Sequence, residues 1–305
     1  MGGLLQGARP LFFRHQIPYR PPMEIQQFRN METYLAERSR HWDERWAVEK
    51  LIARAHPKRE ESWHQPGFCQ ACRQAALFLI DWQVTGPDYP NYRERLVCPH
   101  CGLNNRQRFM AAFFRRVLDE SGGKIRDVYL YEQVTAFYHW LTGTFPDLPV
   151  QASEFLGFEY KSGDVVNGIR HEDALNLSFA DESLDVILSN DVYEHVPNIH
   201  PALSEARRVL RPGGKLLITT PFFQDTADTV QRAILAQGKL VHMHPEVYHG
   251  NPVSEKGSLV FYDYGWDILD FCRRAGFSDA YVLGYYSMFY GYMGGAMQPT
   301  IVAVK

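Results

Sequence analysis

The sequence predicts an α/β fold: a mostly parallel sheet covered by helices on both faces, preceded by a helical segment and a small four-cysteine element. Three observations carry this. Strand-sized apolar runs alternate with helical periodicity from residue 126 onward, four of five cysteines fall in two C-x-x-C pairs, and residues 23–56 show a helical apolar stripe of their own. The expected division is an N-terminal helical segment (1–65), a cysteine element with its connecting helix (66–120) and the α/β domain (121–305).

A chain of 305 residues with 45% hydrophobic and 22% charged residues is globular in composition, which excludes disordered and fibrous classes. A net charge of -3 and a pI near 6.5 give no global reason to expect nucleic acid or an anionic membrane as partner. Pro10, Arg14 and Arg20 interrupt the apolar character of the N-terminus, so no signal peptide is read there. No apolar run approaches the roughly 20 residues that span a bilayer. A reducing, cytoplasmic setting without a membrane partner is the expectation.

Between Met23 and His56 the residues Ile25, Phe28, Met31, Leu35, Trp42, Trp46 and Leu51 recur mostly every three or four positions, predicting an amphipathic helix or helix pair. It reads either as a lid or homodimer arm, or as a helix packed on its own domain. A polar stretch from Pro57 to Pro66 follows.

Cys69-Gln-Ala-Cys72 and Cys98-Pro-His-Cys101 are separated by 25 residues. Two such knuckles can complete a closed tetrahedral set of thiolates, which predicts Zn2+ in a structural role with no open coordination position. A redox dithiol would need only one pair. Arg106-Gln107-Arg108 next to it reads as a solvated helix start or a phosphate contact. Phe109 to Leu118 has helical periodicity, ended by Ser121-Gly122-Gly123.

The α/β domain then reads as strand Arg126–Tyr131, helix Val134–Leu141, strand Val150–Phe155, strand Leu184–Asn190, helix His200–Leu210, the turn Arg211-Pro212-Gly213-Gly214 and strand Lys215–Thr220. Helix Trp266–Ala275 and strands near Ala280–Leu283 and Thr300–Val304 close the chain. Ligands bind doubly wound sheets at the carboxyl ends of strands, where Ser189, Asn190 and Asp191 fall.

The run from Asp181 through Asp185, Asn190-Asp191, Glu194-His195-Val196, Glu205, Arg207 and Leu210-Arg-Pro-Gly213-Gly214 to Pro221 resembles the fourth and fifth strand region of class I S-adenosylmethionine-dependent methyltransferases, with their Rossmann-like sheet. That resemblance covers about residues 66–304 and implies a methyl transfer from S-adenosylmethionine. It implies that Glu154, with Phe155 beside it, approaches the ribose hydroxyls, and that Asp173 and the amide of Ala174 approach the adenine. Asn190 is expected on the cofactor side as well. The first strand departs from the family: Tyr129-Leu-Tyr131-Glu132-Gln-Val-Thr-Ala136 has no glycine where the backbone usually closes on the cofactor. A branch with two C-x-x-C knuckles and a Glu at this point is similar to the chain, and there Glu132 would face the methionine part or its ordered water.

Between strands five and six, His242-Met-His244-Pro-Glu246-Val-Tyr248-His249-Gly250 lies on the side expected for substrate. His249 reads as a base or substrate clamp, as part of a metal site, or as a member of a hydrogen-bonded loop. His195 and Asp191 are candidates for the same side, His195 also reading as a structural helix cap. Tyr285, Tyr286, Phe289, Tyr290 and Tyr292 read either as a wall of the acceptor pocket or as core. The expected acceptor is a hydroxyl or amine of a small molecule or saccharide. The competing readings are a degenerate fold that binds protein or nucleic acid without turnover, and an enzyme that uses the sulfonium for other chemistry.

Overall fold

In a computed structural model, residues 23–56, 61–83 and 89–305 are described; Pro10, Arg14, Arg20 and the start of the polar stretch at Pro57 lie outside the described residues. The chain opens with strand β1 (Glu24–Phe28) and helix α1 (Met31–Arg54), whose first turn is capped by Asn30 accepting the Thr33 N–H at 2.9 Å. Residues 24–28 therefore depart from the helical expectation. They pair antiparallel with a later sheet strand from Glu24↔Tyr286 to Phe28↔Val282, and this pairing overrides their local periodicity. The buried face of α1 is Tyr34, Arg45, Glu49 and Ala53, while Leu51 is exposed. Glu49 accepts from the Tyr286 hydroxyl (3.1 Å), the Gly294 N–H (3.0 Å) and the Tyr89 hydroxyl, so the helix is packed on its own domain.

A hairpin of β2 (Trp63–Cys69) and β3 (Gln74–Ile80) carries the first cysteine knuckle. Helix α2 (Asn105–Ser121) follows the second, starting with a capping box between Asn104 and Gln107 and ending at Gly122 with φ 60°. Next come β4 (Val128–Leu130), α3 (Ala136–Thr144), β5 (Val150–Ala152) and the small hairpin β6 (Val165–Val166) and β7 (Ile169–Arg170). β8 (Leu184–Asn190), α4 (Ile199–Val209) and β9 (Leu210–Thr219) occupy the places read from the sequence. β9 begins earlier than expected because Arg211-Pro212-Gly213-Gly214 bulges out between the pairings Leu184↔Leu210 and Val186↔Lys215. A Cβ on Gly214 would lie 2.9 Å from the Arg211 carbonyl oxygen and 3.0 Å from that of Asp185, so the bulge needs glycine there.

The insertion after β9 is built from hairpins rather than an irregular loop. β11 (Ala233–Ala236) pairs with β12 (Lys239–His242), and β13 (Tyr248–Asn251) with β14 (Ser254–Leu259); β10 (Val230–Gln231) and β15 (Tyr262–Asp263) pair across its base. Helix α5 (Ile268–Arg274), β16 (Asp279–Tyr286) and β17 (Gln298–Val304) complete the chain.

The central sheet has the order β1-β16-β17-β9-β8-β4-β5. β5, β4, β8, β9 and β16 run one way, and β17 and β1 oppose them. Alternate strand residues feed two cores, as a period of two requires. Tyr129, Ile187, Leu216 and Ile218 pack with α4 and α5, whereas Val128, Leu130, Val186, Leu188 and Leu217 pack with α2, α3 and the cysteine element. This is a Rossmann-like α/β architecture. Tyr285, Tyr290 and Tyr292 are buried in the second core, where the Tyr285 ring stacks on Phe109 with centroids 3.5 Å apart. That corrects the pocket-wall reading to core packing. Among the described residues, no helix is long and apolar enough to cross a membrane.

Candidate cofactor cavity and zinc centre

β4, β5 and β8 end side by side, and their carboxyl ends open onto a cavity of about 590 Å³, within the range of small-molecule sites. Glu132, Glu154, Phe155, Asp173, Ala174, Asn190, Asp191 and His195, named above on separate grounds, all line it. His249 stands at its rim, next to the lining residue Gly250.

Glu132 follows β4 and is buried; Asn190 at the end of β8 donates its Nδ2 to Glu132 Oε1 at 2.5 Å. Burial pushes the Glu132 carboxyl up to about 7, against the stabilising effect of that hydrogen bond. Glu154 Oε1 accepts the backbone N–H groups of Gln133 (2.7 Å) and Val134 (3.1 Å), so this carboxylate shapes the glycine-free turn after β4 while lining the cavity. Its pKa is raised by burial. Asp173 Oδ1 accepts the Leu175 N–H at 2.9 Å in a tight turn. Phe155 is 44% exposed and meets the ring of Phe158, 68% exposed, edge-on at 5.0 Å. Two uncovered aromatic rings beside the cavity offer faces on which a flat ring can stack.

Asp191 sits at a backbone φ of 52°. Arg93 contacts both its oxygens, at 2.7 and 3.0 Å, and Arg106 reaches Oδ2 at 3.1 Å. Although burial acts the other way, Arg106 and Arg93 hold the Asp191 carboxyl well below its usual range. A carboxylate so held is a poor proton acceptor, and its contacts tie this corner of the cavity to Arg93 and Arg106. Sequence reading missed this knot: Arg93 lies in an unremarked loop, and Arg106 was read as solvated or phosphate-directed. Arg108 is wholly buried. It donates to the carbonyls of Leu96 (3.1 Å), Tyr290 (2.6 Å) and Gly291 (2.7 Å), which corrects the same reading.

On the insertion side, His195 Nδ1 lies 2.8 Å from the Leu259 carbonyl oxygen, which requires a proton on Nδ1 and makes Nε2 the lone-pair nitrogen of the neutral imidazole. Glu194 is fully buried; its Oε2 accepts from Thr220 (2.9 Å), while Oε1 lies 3.7 Å from His195 Nε2 and 3.7 Å from His249 Nδ1. The carboxylate of Glu194 raises the His249 pKa. The histidine-rich insertion is thus divided: His242 Nε2 meets Glu246 at 3.2 Å, and His249 alone is turned to the Glu-His-Val element.

The four cysteine sulfurs converge within 4.8 Å of one another, with Cys69–Cys101 at 4.0 Å and Cys72–Cys98 at 3.8 Å. A tetrahedral ion at a Zn–S distance of about 2.3 Å spaces its sulfurs about 3.8 Å apart, so the cluster fits a zinc ion with little movement.

Doubly wound α/β sheets take their ligands at the carboxyl ends of adjacent strands, and the gathered carboxylates stand at that place in this sheet. Residues 147–218 match the family model described as a methyltransferase domain. The chain is 38% identical over 63 residues to the methyltransferase GfsG of Streptomyces halstedii, covering 21% of this chain and 23% of that protein. It is 33% identical over 172 residues to an arsenite methyltransferase of Aquipseudomonas alcaligenes, covering 54% and 44% respectively. The chain thus spans less than half the length of these curated relatives. Among solved structures, a SAM dependent methyltransferase from Archaeoglobus fulgidus aligns with a TM-score of 0.38 and 14% identity over 65% of this chain and 94% of that one.

Proposed function

We propose that this chain is an S-adenosylmethionine-dependent methyltransferase acting on a hydroxyl or amine of a small molecule or sugar, with a structural zinc ion held by Cys69, Cys72, Cys98 and Cys101. The observation that carries the reading is the convergence of Glu132, Glu154, Asp173 and Asn190 on one cavity at the ends of β4, β5 and β8. When bound, S-adenosylmethionine supplies an electrophilic methyl group on a sulfonium. The residues of the chain hold it in line with the acceptor, which is most of what such a transfer requires. The Glu154 and Asp173 carboxylates accept from ribose hydroxyls and the adenine amino group, Phe155 offers its face to the base, and the Ala174 amide adjoins it. Glu132 faces the cationic methionine portion, positioned by Asn190. On the acceptor side, His195 keeps its Nδ1 proton on the Leu259 carbonyl, so that in the neutral imidazole Nε2 is the nitrogen that can take the acceptor's proton, with His249 beside it.

The test is calorimetric titration of the full chain with S-adenosylmethionine and S-adenosylhomocysteine, with Asp173→Ala and Glu154→Ala as controls. Hydrogen bonds to charged groups contribute about 1.5–3 kcal/mol each, so each variant should weaken binding roughly tenfold or more. No binding by folded, zinc-loaded protein would sink the methyltransferase reading and leave the fold as a binding module.

A further inference from the structure

Proton removal from an acceptor needs one imidazole nitrogen. The structure turns three donors toward one point. Glu194 Oε1, His195 Nε2 and His249 Nδ1 lie within 4.8 Å of one another, and the two imidazole rings meet edge-on with centroids 5.0 Å apart. Glu194 has no exposed surface, and its Oε1 makes no hydrogen bond. A buried carboxylate oxygen without a donor is costly unless something positive meets it. No arginine or lysine forms an ion pair with it among the described residues; the two histidines stand in that place, at 3.7 Å each.

We infer that Glu194, His195 and His249 form a second metal centre, distinct from the four-cysteine site, for a first-row divalent transition ion. The donor set is two imidazoles and one carboxylate, which suits Zn2+, Fe2+, Co2+ or Mn2+ and leaves coordination positions open. The tautomer agrees: the Leu259 carbonyl fixes the proton of His195 on Nδ1, aiming the lone pair of Nε2 at the common point, as carbonyl partners of metal-bound histidines do. Thr220 fixes the other carboxylate oxygen in the same way. Donors bound to one ion at about 2.1 Å lie about 3.0–3.4 Å apart, so a modest inward turn of the His249 side chain, 37% exposed on its hairpin, completes the set.

His195 also lines the cofactor cavity, so an open position of the ion faces the space where an acceptor would enter. Resting on the methyltransferase reading, this selects an acceptor that can itself ligate a metal, a hydroxyl or phenol oxygen in preference to an amine that is protonated at neutral pH. With Nε2 of His195 engaged by the ion, that nitrogen is a ligand and no longer the base; the ion instead lowers the pKa of a bound hydroxyl, whose proton passes to solvent water.

The experiment is titration of zinc-loaded full-length protein with Co2+, followed by calorimetry and by the visible spectrum, in the wild type, His249→Ala and Glu194→Gln. Expected is one further equivalent of Co2+ with ligand-field bands typical of nitrogen and oxygen donors, weakened by more than about tenfold in each variant. His249→Ala is the decisive variant, because a hairpin residue at the rim can be removed without unfolding the core. No second equivalent, a spectrum with thiolate charge-transfer bands alone, or unchanged Co2+ binding by His249→Ala would overturn the inference. Because metal binding is read without S-adenosylmethionine, its failure is separable from failure of the cofactor titration.

Discussion

Arg93 and Asp191, 98 positions apart, form a two-point ion pair at 2.7 and 3.0 Å that ties the loop between the two cysteine knuckles to the end of β8. Arg106, just past the second knuckle, joins it at 3.1 Å, and Glu94 accepts from both arginines. The cysteine element thereby reaches the wall of the cavity at the strand ends through charge rather than through apolar packing alone.

Breaking this pair from one side leaves a carboxylate short of its countercharge in a low-dielectric site. Arg93→Met should therefore cost about 2–3 kcal/mol in a denaturant titration, the lower part of the range for partly buried pairs because Arg106 remains. Asp191→Asn should cost at least as much, since its amide NH2 would face a guanidinium donor and two arginines lose their shared countercharge. Equal stability of Arg93→Met and wild type would show that the pair is solvent-screened.

Removing zinc should act at a distance. Structural zinc supplies roughly 10 kcal/mol or more to the folding of small domains. Stripping the ion with a chelator should loosen the segment that carries Arg93 and Arg106, and cofactor affinity should fall with it by about tenfold, the effect of losing some 1.4 kcal/mol of organisation in the cavity wall. The check is calorimetry on stripped and zinc-restored samples; unchanged affinity in protein shown free of zinc would mean that the cavity stands without the cysteine element.

Arg108 offers a test of how the ribbon is held to the sheet. Its guanidinium satisfies three backbone carbonyls and lies 3.9 Å over the Phe78 ring. Lysine has the charge but not the planar fork, so Arg108→Lys should lose about 2–3 kcal/mol and Arg108→Ala more, each read as a lowered denaturant midpoint. A lysine variant as stable as wild type would show that charge alone suffices at this position.

Much of this was legible before any coordinates. β8 and α4 fall within a residue of the expected bounds, because an apolar strand and an amphipathic helix with a Gly-Gly turn leave few alternatives. The convergence of the four cysteines was legible for a similar reason, since two C-x-x-C pairs are a local pattern, whereas the carboxylates at the cavity were named from the family resemblance. What escaped was non-local. Residues 24–28 look helical until the free edge of β16 is known, Arg108 looks solvated until the loop at Tyr290 folds over it, and Glu194 looks like part of a helix-start motif until His249 arrives from a hairpin 55 residues on. Charged residues placed by tertiary contacts leave no periodic trace.

The last prediction concerns Glu132, whose carboxyl is pushed up to about 7 by burial. An unfolded glutamate titrates near 4.3, so between roughly pH 4.5 and 7 the folded state keeps a proton that the unfolded state has lost. Stability therefore falls as pH rises through that window, by about 3 kcal/mol from this group alone, and the fall ends above about pH 7. Glu132→Gln, which cannot ionise and can keep an acceptor toward Asn190, should flatten that part of the profile. Ligand binding should show the opposite slope. S-adenosylmethionine carries positive charge, which favours the ionised carboxylate, so its affinity should rise as pH crosses 7 and its binding near pH 6.5 should release part of a proton. Calorimetry in two buffers of different ionisation enthalpy counts that proton. Release in the wild type and none in Glu132→Gln would assign the linkage to this carboxylate; equal release in both would place the titrating group elsewhere in the cavity and remove Glu132 from contact with the cationic end of the cofactor.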